Sequence, residues 1–121
     1  MAGPVKITLK PSAYYLDLDT TSPTPGPSDK GADLFVGFNL PDLGISPPRS
    51  GDVLAIAPSD GPEPTAADCR GLVAKNGGYS SGELSAGTRL CLQTDEGHIA
   101  YLRITAAPTR QAVMFDVTVW E

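Results

Sequence analysis

The sequence predicts an all-β fold, an antiparallel β-sandwich or partly open barrel of about seven strands with one short helix. Residues 87–121 contain three runs in which side chains alternate between two faces, and short turns separate these runs. Strands joined so tightly are antiparallel neighbours, so the segment is predicted to be a three-stranded meander. The 13 Gly and 12 Pro lie between other short apolar runs, as in turn-rich β domains. A chain of 121 residues is expected to form one domain, residues 1–121.

The last run of the meander has the clearest period. Residues 113–119 read Val-Met-Phe-Asp-Val-Thr-Val. Because successive side chains of a strand point to opposite faces, the valines and Phe115 share one buried face. Tyr101 and Trp120 fall on the other face of their strands. We predict that a second sheet covers that face; the alternative is that the two rings are exposed and available to a partner.

Shorter strand signals precede the meander. The alternating run Val5–Leu9 predicts the first strand, and residues 13–19 predict the second. Residues 33–38 predict another strand, and residues 53–57 predict a strand buried on both faces, with a buried helix as the alternative. Residues 20–31 are rich in Pro and Ser, so we predict a long flexible loop or a polyproline II segment there.

Residues 64–75 have the pattern of a short helix. Thr65 and Asp68 resemble a capping box, in which each side chain bonds the backbone N–H of the other. Cys69 would lie on the buried face of this helix, and Cys91 lies in the first strand of the meander. We predict a disulfide between the two cysteines, which would link helix to sheet and indicate an exported parent protein. The alternative is a pair of buried thiols in a cytoplasmic protein.

The net charge of −5 argues against several kinds of partner. Binding to nucleic acid needs a basic surface that neutralises phosphates, and binding to anionic lipid needs a polybasic segment. No apolar run approaches the roughly 20 residues of a membrane-spanning helix, so no membrane insertion is expected. The opening Met1–Pro4 does not have the pattern of a secretory signal. We therefore expect either a cytoplasmic chain or the extracellular domain of a larger or exported protein.

The sequence contains no recognisable catalytic motif. His98 is the single histidine, and its place beside a turn is typical of an exposed residue at a strand start. A thiolate–imidazole pair of Cys91 and His98 is an alternative to the disulfide. Two cysteines and one histidine do not make a zinc site, and no phosphate-binding Gly-rich loop is present, so no cofactor is expected.

A set of carboxylates is the best candidate for a metal site. Asp17 and Asp19 lie on one face of their predicted strand, and Asp33 follows across the loop. Calcium prefers oxygen ligands of this kind, but no calcium-loop spacing is present. We therefore predict a solvated acidic face without a metal. The same three residues would supply the carboxylate pair in a less favoured hydrolase hypothesis.

A longer pattern runs through Gly87–Thr105 and Val117–Trp120, with Tyr15–Asp19, Asp33-Leu34 and the upstream Cys69. It resembles a small all-β domain of unknown function at the C-terminal end of actinobacterial, especially streptomycete, proteins, including membrane-anchored serine/threonine kinases. The resemblance covers most of the chain. It implies a non-catalytic β domain with a cysteine pair and no defined ligand. It also implies that His98 is not essential, because Arg often stands at that position in the family.

We therefore expect a non-catalytic accessory, sensor or binding module that recognises a protein, an envelope component or a glycan, and not an enzyme. Tyr15, Tyr101 and Trp120 are the candidate ligand-binding residues, because aromatic rings offer flat apolar surface to such partners. The alternative is a structural or self-association domain without a small-molecule ligand.

Overall fold

The computed structural model describes residues 2–19, 23–28, 31–39, 43–47 and 52–120. Within these residues the chain forms two antiparallel sheets and one short helix, so the predicted all-β fold is confirmed. The elements in chain order are β1 (Ala2–Leu9), β2 (Tyr15–Leu16), β3 (Pro25–Gly26), β4 (Leu34–Val36), β5 (Ile45–Ser46), β6 (Val53–Ala57), α1 (Ala66–Asn76), β7 (Arg89–Gln93), β8 (Ile99–Ile104) and β9 (Val113–Trp120). None of the described residues belongs to a helix long and apolar enough to cross a membrane.

The larger sheet has five strands in the order β1-β9-β8-β7-β6. Its centre is the meander of β7, β8 and β9, in which Leu102 pairs with Leu90 on one side and Val117 on the other. β1 extends the sheet beyond β9, and β6 extends it beyond β7. The apolar side chains that alternate along β9 are all buried, as the period of two predicts.

The smaller sheet has four strands in the order β3-β2-β4-β5, each only two or three residues long. Its inward side chains, among them Leu16, Leu34 and Ile45, join those of the larger sheet in one apolar core. The two sheets therefore pack face to face as a sandwich.

Part of residues 20–31, for which a flexible loop or a polyproline II segment is predicted, belongs to the smaller sheet. Pro25–Gly26 form β3, which pairs with β2 at the edge of the smaller sheet, and Pro23 is buried. Proline tolerates an edge position because its missing N–H can lie on the unpaired side. Residues 20–22 and 29–30, which share that prediction, lie outside the described residues.

The helix begins two residues later than predicted and is capped as expected. Thr65 is its N-cap, with the Asp68 N–H donating to Thr65 Oγ1 at 3.2 Å and the Thr65 N–H donating to Asp68 Oδ2 at 2.9 Å. α1 packs on β6, β7 and β8, against the face of the larger sheet that points away from the core. We call this the outer face. A helix, and not the predicted second sheet, therefore covers part of it.

Residues 53–57 form the strand β6, as predicted, and not the alternative of a buried helix. The prediction that this strand is buried on both faces is wrong. Ile56 is 57% exposed, although Leu54 on the same side of the strand is buried. β6 is an edge strand of its sheet, and the cover over Leu54 does not extend to Ile56.

Close packing between loops makes one glycine position intolerant of a larger side chain. A Cβ at Gly44 would overlap the backbone carbonyl oxygen of Gly82. We expect Gly44→Ala to lower the free energy of unfolding by roughly 1–3 kcal/mol, because backbone has to move to make room. Urea denaturation measures this. Gly71→Ala is the matched control, since the α1 position is open and alanine favours helix by about 0.5–1 kcal/mol. Equal stability of Gly44→Ala and the wild type would contradict the packing.

Candidate functional site

The three aromatic residues predicted to bind a ligand lie on two different surfaces. Tyr101 and Trp120 are both on the outer face of the larger sheet, where they join the small apolar cluster beneath α1. Tyr15 lies on the smaller sheet, across from Phe35 and Gly26 in the neighbouring strands. Since the sheets bury their inner faces against each other, these two surfaces are separate candidates.

A groove runs along the outer face beside α1. It exists because α1 packs on β6, β7 and β8, whereas the outer sides of β9 and β1 extend past the helix. Its cavity volume is about 330 Å³. We call it the outer groove, and its lining residues are Pro4, Glu63, Pro64, Tyr101, Arg103, Asp116, Thr118 and Trp120.

Tyr101 forms a wall of the outer groove. The side chain is buried, and its hydroxyl donates a hydrogen bond to Glu63 Oε2 at 2.6 Å. Burial, and next the hydrogen bond with Glu63, raise the pKa of Tyr101 to about 12. The phenol therefore stays protonated at neutral pH. It acts as a fixed donor that holds Glu63 at the rim of the groove.

The loop that carries Glu63 is held by an arginine from β7. Nη1 of Arg89 lies within hydrogen-bond distance of the carbonyl oxygens of Asp60 (3.2 Å) and Gly61 (3.1 Å), and slightly farther from those of Pro58 and Pro62. A charged guanidinium inside a ring of carbonyl dipoles gives the loop one preferred position. That position fixes the wall between α1 and the outer groove.

A row of charged side chains crosses the outer face of the larger sheet, and two of them, Arg103 and Asp116, form part of the floor of the outer groove. Asp116 on β9 lies between Lys6 on β1 and Arg103 on β8, each directly opposite it across the sheet. Lys6 Nζ is 3.9 Å from Asp116 Oδ1, too far for a hydrogen bond, and the Lys6 side chain is 91% exposed. Such an exposed ion pair contributes little to stability.

Several polar groups of this floor have no hydrogen-bond partner among the described residues. Asp116 Oδ1 is buried and accepts no hydrogen bond there. Arg103 is exposed, and neither its guanidinium nor the hydroxyl of Thr118 bonds to another described group. Trp120 is half-buried at the end of the same face. Polar groups beside a partly exposed ring are an arrangement that can receive a ligand.

The second surface is an aromatic row on the smaller sheet. The ring centroids of Tyr14 and Tyr15 are 4.5 Å apart, and those of Tyr15 and Phe35 are 5.8 Å apart. All three rings are half-buried. An adjoining cavity of about 280 Å³ is lined by Pro11, Tyr14, Phe35, Val36, Gly37, Phe38 and Asn39, and is largely apolar. These rings pack on one another, which uses part of their surface.

The acidic residues singled out in the sequence do come together. Carboxylate oxygens of Asp17, Asp19 and Asp33 lie within 4.8 Å of one another, and so do those of Asp33, Asp52 and Asp95. Such oxygens are ligands that a hard cation prefers. Exposed acidic groups are nevertheless common in proteins without an ion.

Hydrogen bonds from the protein already engage these carboxylates. The Leu18 N–H donates to Asp33 Oδ2 at 2.7 Å, and the Asp95 N–H donates to Asp52 Oδ1 at 2.7 Å. Asp19 Oδ1 accepts from Thr94 Oγ1 at 2.8 Å and lies 2.5 Å from His98 Nδ1. The cluster thus links the β2–β4 region to the β6 and β7–β8 region. We interpret it as an internal network that joins the two sheets.

Asp33 is the central member of this network. Its side chain is buried, and its pKa is raised to about 9, first by burial and then by the negative charges of Asp19 and Asp52; the hydrogen bond from Leu18 opposes the shift. Asp33 is therefore neutral at pH 7. A protonated carboxyl beside Asp52 explains how two buried acids occupy adjacent positions.

The thiolate–imidazole alternative is wrong, since Cys91 is paired with Cys69. The two sulfurs are at bonding distance, the Cα atoms are 5.2 Å apart, and neither cysteine is exposed. The disulfide links α1 to β7, as the sequence predicts. His98 instead contacts Asp19, a long-range partner that its position beside a turn does not reveal.

Sequence reasoning did not single out Glu63, Arg103 or Asp116 as site residues. The sequence does contain a pattern that points to Arg103 and Asp116, because the strand period of two puts them on the same face as Tyr101 and Trp120. Glu63 lies in a loop whose position depends on Arg89, and no local pattern reveals that contact.

Comparisons of this chain with protein-family models, with curated proteins and with solved structures found no match. The resemblance to a streptomycete C-terminal domain therefore stays a prediction, and the function has to be argued from the geometry of the surfaces described above.

Proposed function

We propose that this chain is a non-catalytic binding module whose recognition surface is the outer groove. One observation carries the proposal: an aromatic ring, Trp120, lies in a single concavity beside polar groups of Asp116, Arg103 and Thr118 that have no hydrogen-bond partner among the described residues. Ligand sites combine apolar surface with a few polar groups in this way. Two of the three aromatic residues that the sequence points to, Tyr101 and Trp120, line the groove.

The aromatic row and the acidic cluster are weaker candidates for the recognition surface. In the aromatic row the rings of Tyr14, Tyr15 and Phe35 contact each other, and the adjoining cavity has few polar groups to orient a ligand. In the acidic cluster, Asp19 and Asp33 already accept hydrogen bonds from the protein. The outer groove brings the exposed Arg103, the partly exposed Asp116 side chain and the half-buried Trp120 together in one concavity.

The side chains of the groove favour binding over catalysis. Tyr101 has a raised pKa and is committed to Glu63, so it does not serve as a nucleophile or base at neutral pH. The paired cysteines support placement in an oxidising compartment, and we propose an extracellular domain, in keeping with the streptomycete resemblance.

A fragment screen followed by two-dimensional NMR tests the proposal, and it works for a ligand of any chemical class. In a library of small neutral and charged compounds, we expect the bound fragments to shift the Trp120 indole N–H and the backbone amides of Arg103 and Thr118. Small probes collect where shape and unsatisfied polar groups coincide. The Trp120→Ala variant should lose these hits, because it removes the apolar surface.

Met114→Ala is the matched control, since Met114 is an exposed residue of β9 outside the lining of the groove. It should retain every fragment hit. Shifts that cluster around Tyr15 and Phe35, or that are scattered over the surface, would overturn the assignment of the outer groove.

A further inference from the structure

We infer that the ligand of the outer groove is a neutral oligosaccharide of at least two sugar rings. The inference rests on the proposed function and gives the chemical class of the ligand. Three properties of the groove lead to it: its balanced charge, the hydrogen-bond groups on its floor, and the distance between those groups and Trp120.

The charged residues in and beside the groove balance. Arg103, Glu63 and Asp116 line the groove, and Lys6, which lies outside the lining, pairs with Asp116 from β1, so two positive charges stand against two negative charges. An anionic ligand would face the two carboxylates, and a cationic ligand would face the two basic side chains. A neutral ligand that both donates and accepts hydrogen bonds is opposed by neither pair.

The central pair fits neighbouring hydroxyl groups. The Asp116 carboxylate, whose side chain is 28% exposed, offers an acceptor, the guanidinium of Arg103 offers several donors, and the two residues are directly opposite each other on β9 and β8. One hydroxyl of a sugar can donate to the carboxylate while the next accepts from the guanidinium. Such hydrogen bonds to charged groups are stronger than neutral ones.

Trp120 lies farther along the same strand. It is four residues from Asp116, so the two Cα atoms are about 13 Å apart at the rise of a β-strand. Thr118 lies between them on the same face, with its hydroxyl available. One ring stacked on the indole cannot also bridge Asp116 and Arg103, so the arrangement requires a chain of sugar units.

Titration with uncharged oligosaccharides tests this inference. The probes are the one-, two- and three-unit members of the glucose and N-acetylglucosamine series, followed by NMR shifts of the groove and by calorimetry. We expect affinity to rise from one unit to three and to be unchanged by added salt, because the ligand carries no charge. Trp120→Ala, Asp116→Asn and Arg103→Gln should each weaken binding by roughly tenfold or more.

Controls separate lost contacts from lost structure. Met114→Ala on the same strand should bind as the wild type does, and Trp120→Phe should retain part of the affinity because it keeps a ring. Binding only of charged peptides, or saccharide shifts confined to Tyr14, Tyr15 and Phe35, would overturn the inference. If fragments occupy the groove but no saccharide binds, this inference fails and the binding module stands; if fragments do not occupy the groove either, both fail.

Discussion

Replacement of both Cys69 and Cys91 by alanine is expected to lower the free energy of unfolding by roughly 3 kcal/mol. The bond joins residues 22 apart in sequence, and a cross-link over a loop of that length removes chain entropy mainly from the unfolded state. Both positions are fully buried, so each alanine also leaves a small void. Urea denaturation of the oxidised wild type and the double variant measures the difference.

The loss of stability should be uneven over the structure. Cys69 and Val73 are the buried residues of α1, so the bond supplies a large share of what holds the helix on the sheet. Hydrogen exchange in the variant should therefore rise more in α1 than in β8 and β9. Intact mass after denaturing alkylation checks the premise, because a native protein with two alkylated thiols would contradict the bond. Equal exchange changes in α1 and β9 would contradict its local role.

The meander was predictable because its information is local. In residues 113–119 the side chains that point inward are apolar and those that point outward are mostly not, so the period alone gives strand and face. The N-terminal cap of α1 was predictable for the same reason, since Thr65 and Asp68 are only three residues apart and bond directly. In both cases the residues that determine the structure are close to one another in the sequence.

The smaller sheet was harder because its strands are too short to show a period. β2 is Tyr15–Leu16 and β3 is Pro25–Gly26, and a two-residue run gives no alternation to detect. A segment rich in Pro was therefore interpreted as a loop, although the tertiary structure pairs part of it with β2. Pairing energy that comes from the rest of the fold overrides a weak local preference.

In the candidate site, too, some features follow from the local sequence and others depend on tertiary contacts. The sequence places Trp120 and Tyr101 on one face, and that placement holds, but the cover over Tyr101 comes from α1 and the Glu63 loop. The outer groove exists only because the helix stops short of β9. Its position depends on contacts between distant segments, such as Arg89 with Gly61, that no spacing reveals.

Stability is expected to fall as the pH rises from about 4 to 9, because of Asp33. The pKa of Asp33 is about 9 in the folded protein and near its ordinary value of 3.8 when the chain is unfolded. Between these values the folded state keeps a proton that the unfolded state releases, so rising pH favours unfolding. The contribution is complete below pH 4 and is lost as the pH passes through 9. Its slope is at most about 1.4 kcal/mol per pH unit.

The groups around Asp33 set the size of this effect. The negative charges of Asp19 and Asp52 raise the pKa of Asp33, and the hydrogen bond from the Leu18 N–H lowers it. Thr94 and His98 in turn contact the Asp19 carboxylate. Asp52→Asn removes one of the two nearby charges. It should therefore lower the pKa of Asp33, which carbon-detected NMR of the carboxyl group follows directly.

Asp33→Asn should remove this part of the pH dependence. The amide keeps an oxygen that can accept from the Leu18 N–H, and it cannot ionise, so the variant should gain stability relative to the wild type as the pH approaches 9. Urea denaturation at a series of pH values gives both curves, and their difference isolates Asp33 from the other titrating groups. Asp60→Asn, at an exposed aspartate outside the network, is the matched control and should follow the wild-type curve. Parallel curves for Asp33→Asn and the wild type, or an Asp33 carboxyl that ionises near pH 4, would mean that the buried acid does not hold its proton at neutral pH.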